Sequence, residues 1–187
     1  MKKTVTFYFD YLSPYTYLTY TQLPQLTERT GVSIEYVPIA VLEVMKLVNN
    51  TPTTLTCKVK SVYAFSDMAR WASRYQVPLS PSRYLGKFDP SLAYQGAIVA
   101  IQKGCLEAYN KALFNAVWVD GINLADITVF QEYLEAAGIT DAASLLLAAG
   151  QPAAVQQLQD NNDAAAAAGV FGSPSFKVGD DLFFGND

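Results

Sequence analysis

The hydrophobic period of this chain changes twice along its length, and that change limits the possible folds more than any other feature. Residues 4 to 10, TVTFYFD, alternate and are rich in β-branched and aromatic side chains, which predicts a strand. Ser13 is a preferred helix N-cap and Pro14 a preferred first helical residue. A helix is therefore expected from about 14 to 30, ending at Gly31. Pro24 lacks the N–H that the helical ladder needs and is expected to kink it. VSIEYVPI, residues 32 to 39, alternates again, and β-α-β in this order implies a parallel crossover.

From 40 to 168 the spacing is helical. Leu42, Met45 and Val48 share one face, as do Val62, Phe65, Met68, Ala69 and Ala72 ahead of Gln76-Val77-Pro78. FDPSLAYQGAIVAIQKG opens with Asp89 as a cap and Pro90 in the first turn, then closes at Gly104. Leu106, Tyr109, Leu113 and Val117 continue the pattern, followed by Ile127, Phe130 and Leu134 before Gly138. Two alanine-rich segments, 141 to 149 and 152 to 168, complete the block, the alanine run being a strong helix former. From Gly169 the pattern returns to β, with two short strands joined by Gly179-Asp180, a hairpin dipeptide. The expected fold is α/β: a thioredoxin-like core of residues 1–39 and 169–187, with 40–168 as a large all-helical insertion.

Composition narrows the function. With 51% apolar and 16% charged residues the chain can bury a sizeable core. A formal charge of -4 and no basic stripe argue against a nucleic-acid partner. The apolar run near the N-terminus is broken by Asp10, and no small-residue cleavage site follows, so no signal peptide is read. No segment reaches the roughly 18 apolar residues of a membrane span. Cys57 and Cys105 form no CxxC motif, which fits reduced thiols in the cytoplasm. The sequence has 0 histidines, so Ser-His and Cys-His nucleophile pairs are excluded and the commonest metal ligand is absent.

Ser13 therefore has two readings. It is a plain N-cap, worth about 1 kcal/mol, or it faces a ligand, because the carboxyl end of a strand opening into a helix is where α/β sheets bind them. A helix N-terminus also favours an anion such as a thiolate.

FYFDYLSPYTYL at the start and GVFGSPSFKVGDDLFFGND at the end together resemble the 2-hydroxychromene-2-carboxylate isomerases, relatives of the kappa-class glutathione transferases on a DsbA-like thioredoxin fold. The resemblance spans the whole chain. It implies glutathione as cofactor, with Ser13 in the place of the nucleophilic cysteine of a redox CxxC, donating a hydrogen bond to the glutathione thiolate. That role needs no imidazole. The implied reaction is reversible thiol addition to an unsaturated, ring-opened aromatic acid, rotation about the former double bond, and elimination.

The same resemblance makes Ser173-Pro174 a cis-proline pair whose backbone meets the cysteinyl part of glutathione. It assigns Asn186 and Asp187 to the γ-glutamyl end, with Asp187 pairing the ammonium. Lys60 and Asn50 are assigned to the glycyl carboxylate. Family members continue past the position of Asp187 with an arginine, a leucine and a closing helix. The resemblance further implies a homodimer acting on a small molecule.

Each site residue keeps its simpler reading as well: Pro174 opening a strand, Asn186-Asp187 as an exposed turn, Lys60 as a solvated charge. Trp71, Tyr84 and Trp118 are expected mostly in the core, with one or two available to an apolar substrate pocket. Cys57 is expected to be a buried structural cysteine. A kappa-like transferase or peroxidase that consumes glutathione and a non-catalytic thioredoxin-fold protein are the alternatives. A disulfide oxidoreductase is disfavoured, because SPYT contains no sulfur.

Overall fold

The computed structural model describes residues 3–186. Its elements are β1 (Thr4–Phe9), α1 (Pro14–Tyr20), α2 (Leu23–Thr30), β2 (Ser33–Pro38), α3 (Val41–Leu47), α4 (Thr53–Thr56), α5 (Lys58–Tyr75), α6 (Ser91–Gln102), α7 (Leu106–Trp118), α8 (Ile127–Ala136), α9 (Ala142–Ala149), α10 (Pro152–Ala167), β3 (Ser175–Val178) and β4 (Asp181–Phe184). The chain divides into two compact units, one holding residues up to Leu79 and from Asn161 onward, the other Ser80–Asp160.

The first unit is built on a sheet of order β2-β1-β3-β4. β1 pairs parallel with β2, as the crossover requires, and antiparallel with β3. Because side chains alternate across a strand, one face gathers aromatic residues in register. Tyr36, Phe7, Phe176 and Phe183 occupy successive partner positions across the four strands. The Phe7 ring stacks on Phe176 with centroids 4.8 Å apart, and Phe7 and Phe9 are both 0% exposed. Burying each phenylalanine contributes about 1.5 to 3 kcal/mol. On the other face Tyr8 packs with Ile39, Val44, Ala165 and Val170. Burial, and to a lesser degree the nearby Glu35 carboxylate, push the Tyr8 phenol above its ordinary value. The alanine run of α10 thus does more than favour helix: Ala165 and Ala166 pack against this face. Asn162 Oδ1 accepts the Ala40 N–H at 2.9 Å, and Asn161 Nδ2 donates to the Pro38 carbonyl at 3.0 Å. These two bonds tie α10 to the segment leaving β2.

Two local expectations are corrected. Pro24 does not kink one long helix. The chain forms two helices, and Pro24 sits in the first turn of α2, where its missing N–H has no intrahelical partner to lose. Thr21 still belongs to the first ladder, donating to Tyr17 O at 3.1 Å, before the chain restarts at Leu23. Gly31 closes α2 in the left-handed region, φ 70°, as glycine readily does. Cys57 is exposed, not buried. It forms the extended joint between α4 and α5, ahead of the helical turns in which Ala64, Met68 and Ala72 are buried.

The second unit is helical. The run from Ala93 to Ala100 of α6 is buried on all sides, as an all-round apolar helix must be. Gly96 sits against Tyr109 of α7, so close that a Cβ there would stand 2.1 Å from the phenolic oxygen. That hydroxyl donates to Ala93 O at 3.0 Å, and full burial holds the phenol well above its usual range. Trp118 is buried at the end of α7, while Tyr84 is half-buried beneath the Arg83 guanidinium. Among the described residues no helix is long and apolar enough to cross a membrane.

Candidate functional site

Ser13 lies where β1 gives way to α1, in the extended conformation of an N-cap. Its Oγ accepts the Thr16 N–H at 3.3 Å and donates to the carbonyl of Ser173 at 3.0 Å. The second bond joins the two ends of the chain, because the antiparallel pairing of β3 on β1 brings the segment before β3 to the carboxyl end of β1. The Ser173–Pro174 peptide is cis. Pro174 O accepts the Gly185 N–H at 3.1 Å, so the turn before β3 is bonded to the residue after β4. Gly172 precedes this pair for a steric reason: a Cβ there would lie 2.7 Å from the ring of Phe184, which also packs on Phe171.

The expected site residues divide. Ser13, Ser173 and Pro174 come together. Asn50 donates from Nδ2 to Phe171 O at 2.7 Å, which ties its loop to the segment two residues before Ser173. Lys60 donates instead to Thr53 Oγ1 at 2.6 Å and bonds neither Ser13 nor Ser173. Asn186 is held by α1 and α5: its Oδ1 accepts the Thr19 hydroxyl at 3.0 Å and its carbonyl accepts Tyr75 OH at 3.3 Å. Its Nδ2 is buried with no acceptor. Asp187 lies outside the described residues.

Three supporting side chains are not apparent in the sequence reading. Thr16 is fully buried and its hydroxyl shares a 2.8 Å hydrogen bond with that of Ser173. Asp10 is 1% exposed; one carboxylate oxygen accepts the Leu12 N–H at 2.6 Å and the other the Val41 N–H at 3.0 Å. It pins the loop that carries Ser13 to the start of α3. Tyr15 donates to Asp67 on α5 at 2.9 Å. A lone carboxylate between Phe9 and Tyr11 is a readable signal, since buried charges are retained only with partners. Thr16 offers no comparable signal.

The arrangement places a hydroxyl donor beside a half-buried turn whose Ser173 carbonyl it meets. α1 has only 7 residues, so the dipole at its N-terminus is that of a short helix. Cys57 and Cys105 are both free thiols, and neither lies in the SPYT segment. Among the described residues no group of three His, Cys, Asp or Glu side chains could hold a metal ion.

Such a site on such a sheet defines a class: residues 4–187 match the DSBA-like thioredoxin domain. A 2-hydroxychromene-2-carboxylate isomerase of Sphingobium xenophagum is 34% identical over 188 residues, covering 100% of this chain and 94% of that protein. The solved structure of a 2-hydroxychromene-2-carboxylate isomerase superposes with a TM-score of 0.87 at 30% identity, over 98% of this chain and 89% of that one. Glutathione S-transferase kappa 1 of Caenorhabditis elegans is 24% identical over 195 residues, covering 98% of this chain and 86% of that protein. The chain belongs to the 2-hydroxychromene-2-carboxylate isomerase family and is an enzyme of the isomerase class.

Proposed function

We propose that this enzyme isomerises 2-hydroxychromene-2-carboxylate, or a similar unsaturated aromatic acid, using glutathione as cofactor and Ser13 to hold the cofactor sulfur. The observation that carries the reading is the Ser13 hydroxyl, placed 3.0 Å from the carbonyl before Pro174. The names of the isomerase relatives support the substrate class, and the kappa relative supports glutathione.

The residues fit a cysteinyl peptide. Ser13 offers a donor for a sulfur, the Ser173 backbone offers strand-like pairing, and the buried Nδ2 of Asn186 is a donor without an acceptor. Bound glutathione would supply a thiolate that adds to the conjugated substrate and later leaves it. Ser13 would donate to that sulfur, favouring its charged form without a histidine. Asn50 and the Lys60 ammonium would meet the glycyl carboxylate, Lys60 turning from Thr53 to do so. Asn186 and Asp187 would meet the γ-glutamyl end, and an aromatic side chain of the helical insertion would border the substrate. In this reading the enzyme works as a cytoplasmic homodimer, independent of nucleic acid.

The test is an assay of 2-hydroxychromene-2-carboxylate isomerisation with and without glutathione, with free thiol counted at the end. Isomer formation that requires glutathione while total thiol stays constant supports the reading. Loss of thiol in step with substrate would make the enzyme a kappa-like transferase or peroxidase. No reaction with either would overturn the substrate assignment.

A further inference from the structure

A serine hydroxyl has one proton to donate. Here Ser13 gives it to the carbonyl of Ser173 at 3.0 Å, while the same oxygen accepts the Thr16 N–H at 3.3 Å. Ser13 cannot donate to a sulfur and to Ser173 at once. Nor can the Ser173 carbonyl be abandoned without cost, because Ser173 is half-buried and a polar group that loses its partner there loses stability. The acceptor is also held in place. The Ser173 hydroxyl is bonded to buried Thr16 at 2.8 Å and donates to Tyr8 O at 3.4 Å. The change must therefore come from the Ser13 hydroxyl turning, with the carbonyl staying where it is.

Building on the glutathione reading, we propose that the cysteinyl amide N–H of the incoming ligand takes over the Ser173 carbonyl and so frees the Ser13 hydroxyl to donate its hydrogen bond to the sulfur. The two hydrogen bonds are exchanged in one binding event. An ionised sulfur is a stronger acceptor than an amide carbonyl, so the hydroxyl, keeping its proton, turns its hydrogen bond to the sulfur once the carbonyl has a new donor. A thiol without an amide N–H at that position leaves Ser13 on Ser173 and gains no help in ionising. The site selects cysteinyl peptides over simple thiols at the level of sulfur activation, beyond what contacts to the ends of the ligand provide.

The test compares glutathione with its ester analogue, in which oxygen replaces the N–H between the γ-glutamyl and cysteinyl parts. Both are bound to the wild-type protein and to Ser13→Ala, and the bound thiol is titrated by its ultraviolet thiolate absorbance. Asp10 and Asp67, the carboxylates on the loop before Ser13 and against Tyr15, are common to both ligands, so their charge cancels in the comparison.

Each bound thiol is referred to its own value in solution. In the wild type the ester analogue should then ionise about 1 to 2 pH units higher than glutathione, and in Ser13→Ala the difference should vanish. Ser13→Gly keeps a good N-cap residue and serves if Ser13→Ala folds poorly. Equal ionisation of the two ligands in the wild type overturns the exchange, as does a difference that survives in both variants. Failure of the ester analogue to bind overturns it too, because the exchange predicts a bound but unassisted thiol. Failure of glutathione itself to bind removes the cofactor reading along with it.

Discussion

Thr16 and Ser173 share a hydrogen bond between their hydroxyls at 2.8 Å, although 157 residues separate them in sequence. Thr16 is fully buried, so the bond has no competition from water. Thr16→Val keeps the shape and removes the hydroxyl, leaving Ser173 with its longer bond to Tyr8 O. We expect a loss of about 1 to 2 kcal/mol in denaturant-measured stability, together with weaker glutathione binding in a titration. Unchanged stability would show that the clamp contributes nothing.

Ser13→Ala separates a cap from a catalyst. Losing the N-cap should cost about 0.5 to 2 kcal/mol. Losing a hydrogen bond to a thiolate should lower isomerisation near neutral pH by roughly 10- to 150-fold. That loss should be partly recovered as pH rises, since more thiol then ionises unaided. Rate–pH curves that superimpose on wild type, with only the melting temperature lowered, would leave Ser13 as a cap.

Asp10→Asn should destabilise the fold by about 1.5 to 3 kcal/mol. The carboxylate now accepts two backbone N–H groups with its two oxygens, from Leu12 and Val41. An amide retains one acceptor and turns an NH2 group toward the other donor. Chemical denaturation of the two proteins checks the size of the loss, and a difference below a few tenths would contradict it.

Gly96→Ala should cost about 1 to 3 kcal/mol or more, because the new methyl overlaps the Tyr109 hydroxyl and must push α6 and α7 apart. Removing that hydroxyl in Gly96→Ala/Tyr109→Phe should relieve part of the clash. The double variant should therefore be more stable than the sum of the two single changes predicts. Simple additivity would refute the contact.

Asp89 gives a pH dependence with a definite sign. Hydrogen bonds from the Ser91 hydroxyl and then its N–H lower the carboxyl pKa, outweighing a small effect of burial. A carboxyl depressed on folding contributes stability above its unfolded pKa and loses it as pH falls through the lower folded value. Ser91→Ala should raise the Asp89 pKa toward its ordinary range, as read by carboxyl chemical shifts in an NMR titration. It should also shrink the acid-range change in stability.

Much of the fold is written in short windows of sequence. Alternation marks β1 and β2, the serine and proline at 13 and 14 mark a helix start, and Gly31 and Gly179 mark a helix end and a hairpin turn. These are properties of a few neighbouring residues, set by side-chain direction and by allowed backbone angles. The resemblance at the two ends of the chain also singles out Ser13 and Ser173 without saying how they meet. Pro24 is ambiguous in sequence, since the same missing N–H can kink a helix or begin a new one. The choice depends on where the preceding helix stops.

What the sequence determined by itself, then, is the order of strands and helices and the chemical identity of the hydroxyl at the first strand's end. Only the tertiary structure decided that this hydroxyl donates to Ser173, that Thr16 holds Ser173 in place, that Asn186 turns to Thr19, and that Cys57 stays in solvent. The physical reason is that periodicity reports which way a side chain points from its own backbone, not what stands opposite it. The partners of Ser13 and Thr16 arrive because β3 inserts beside β1, which brings residues about 160 positions apart into hydrogen-bond range.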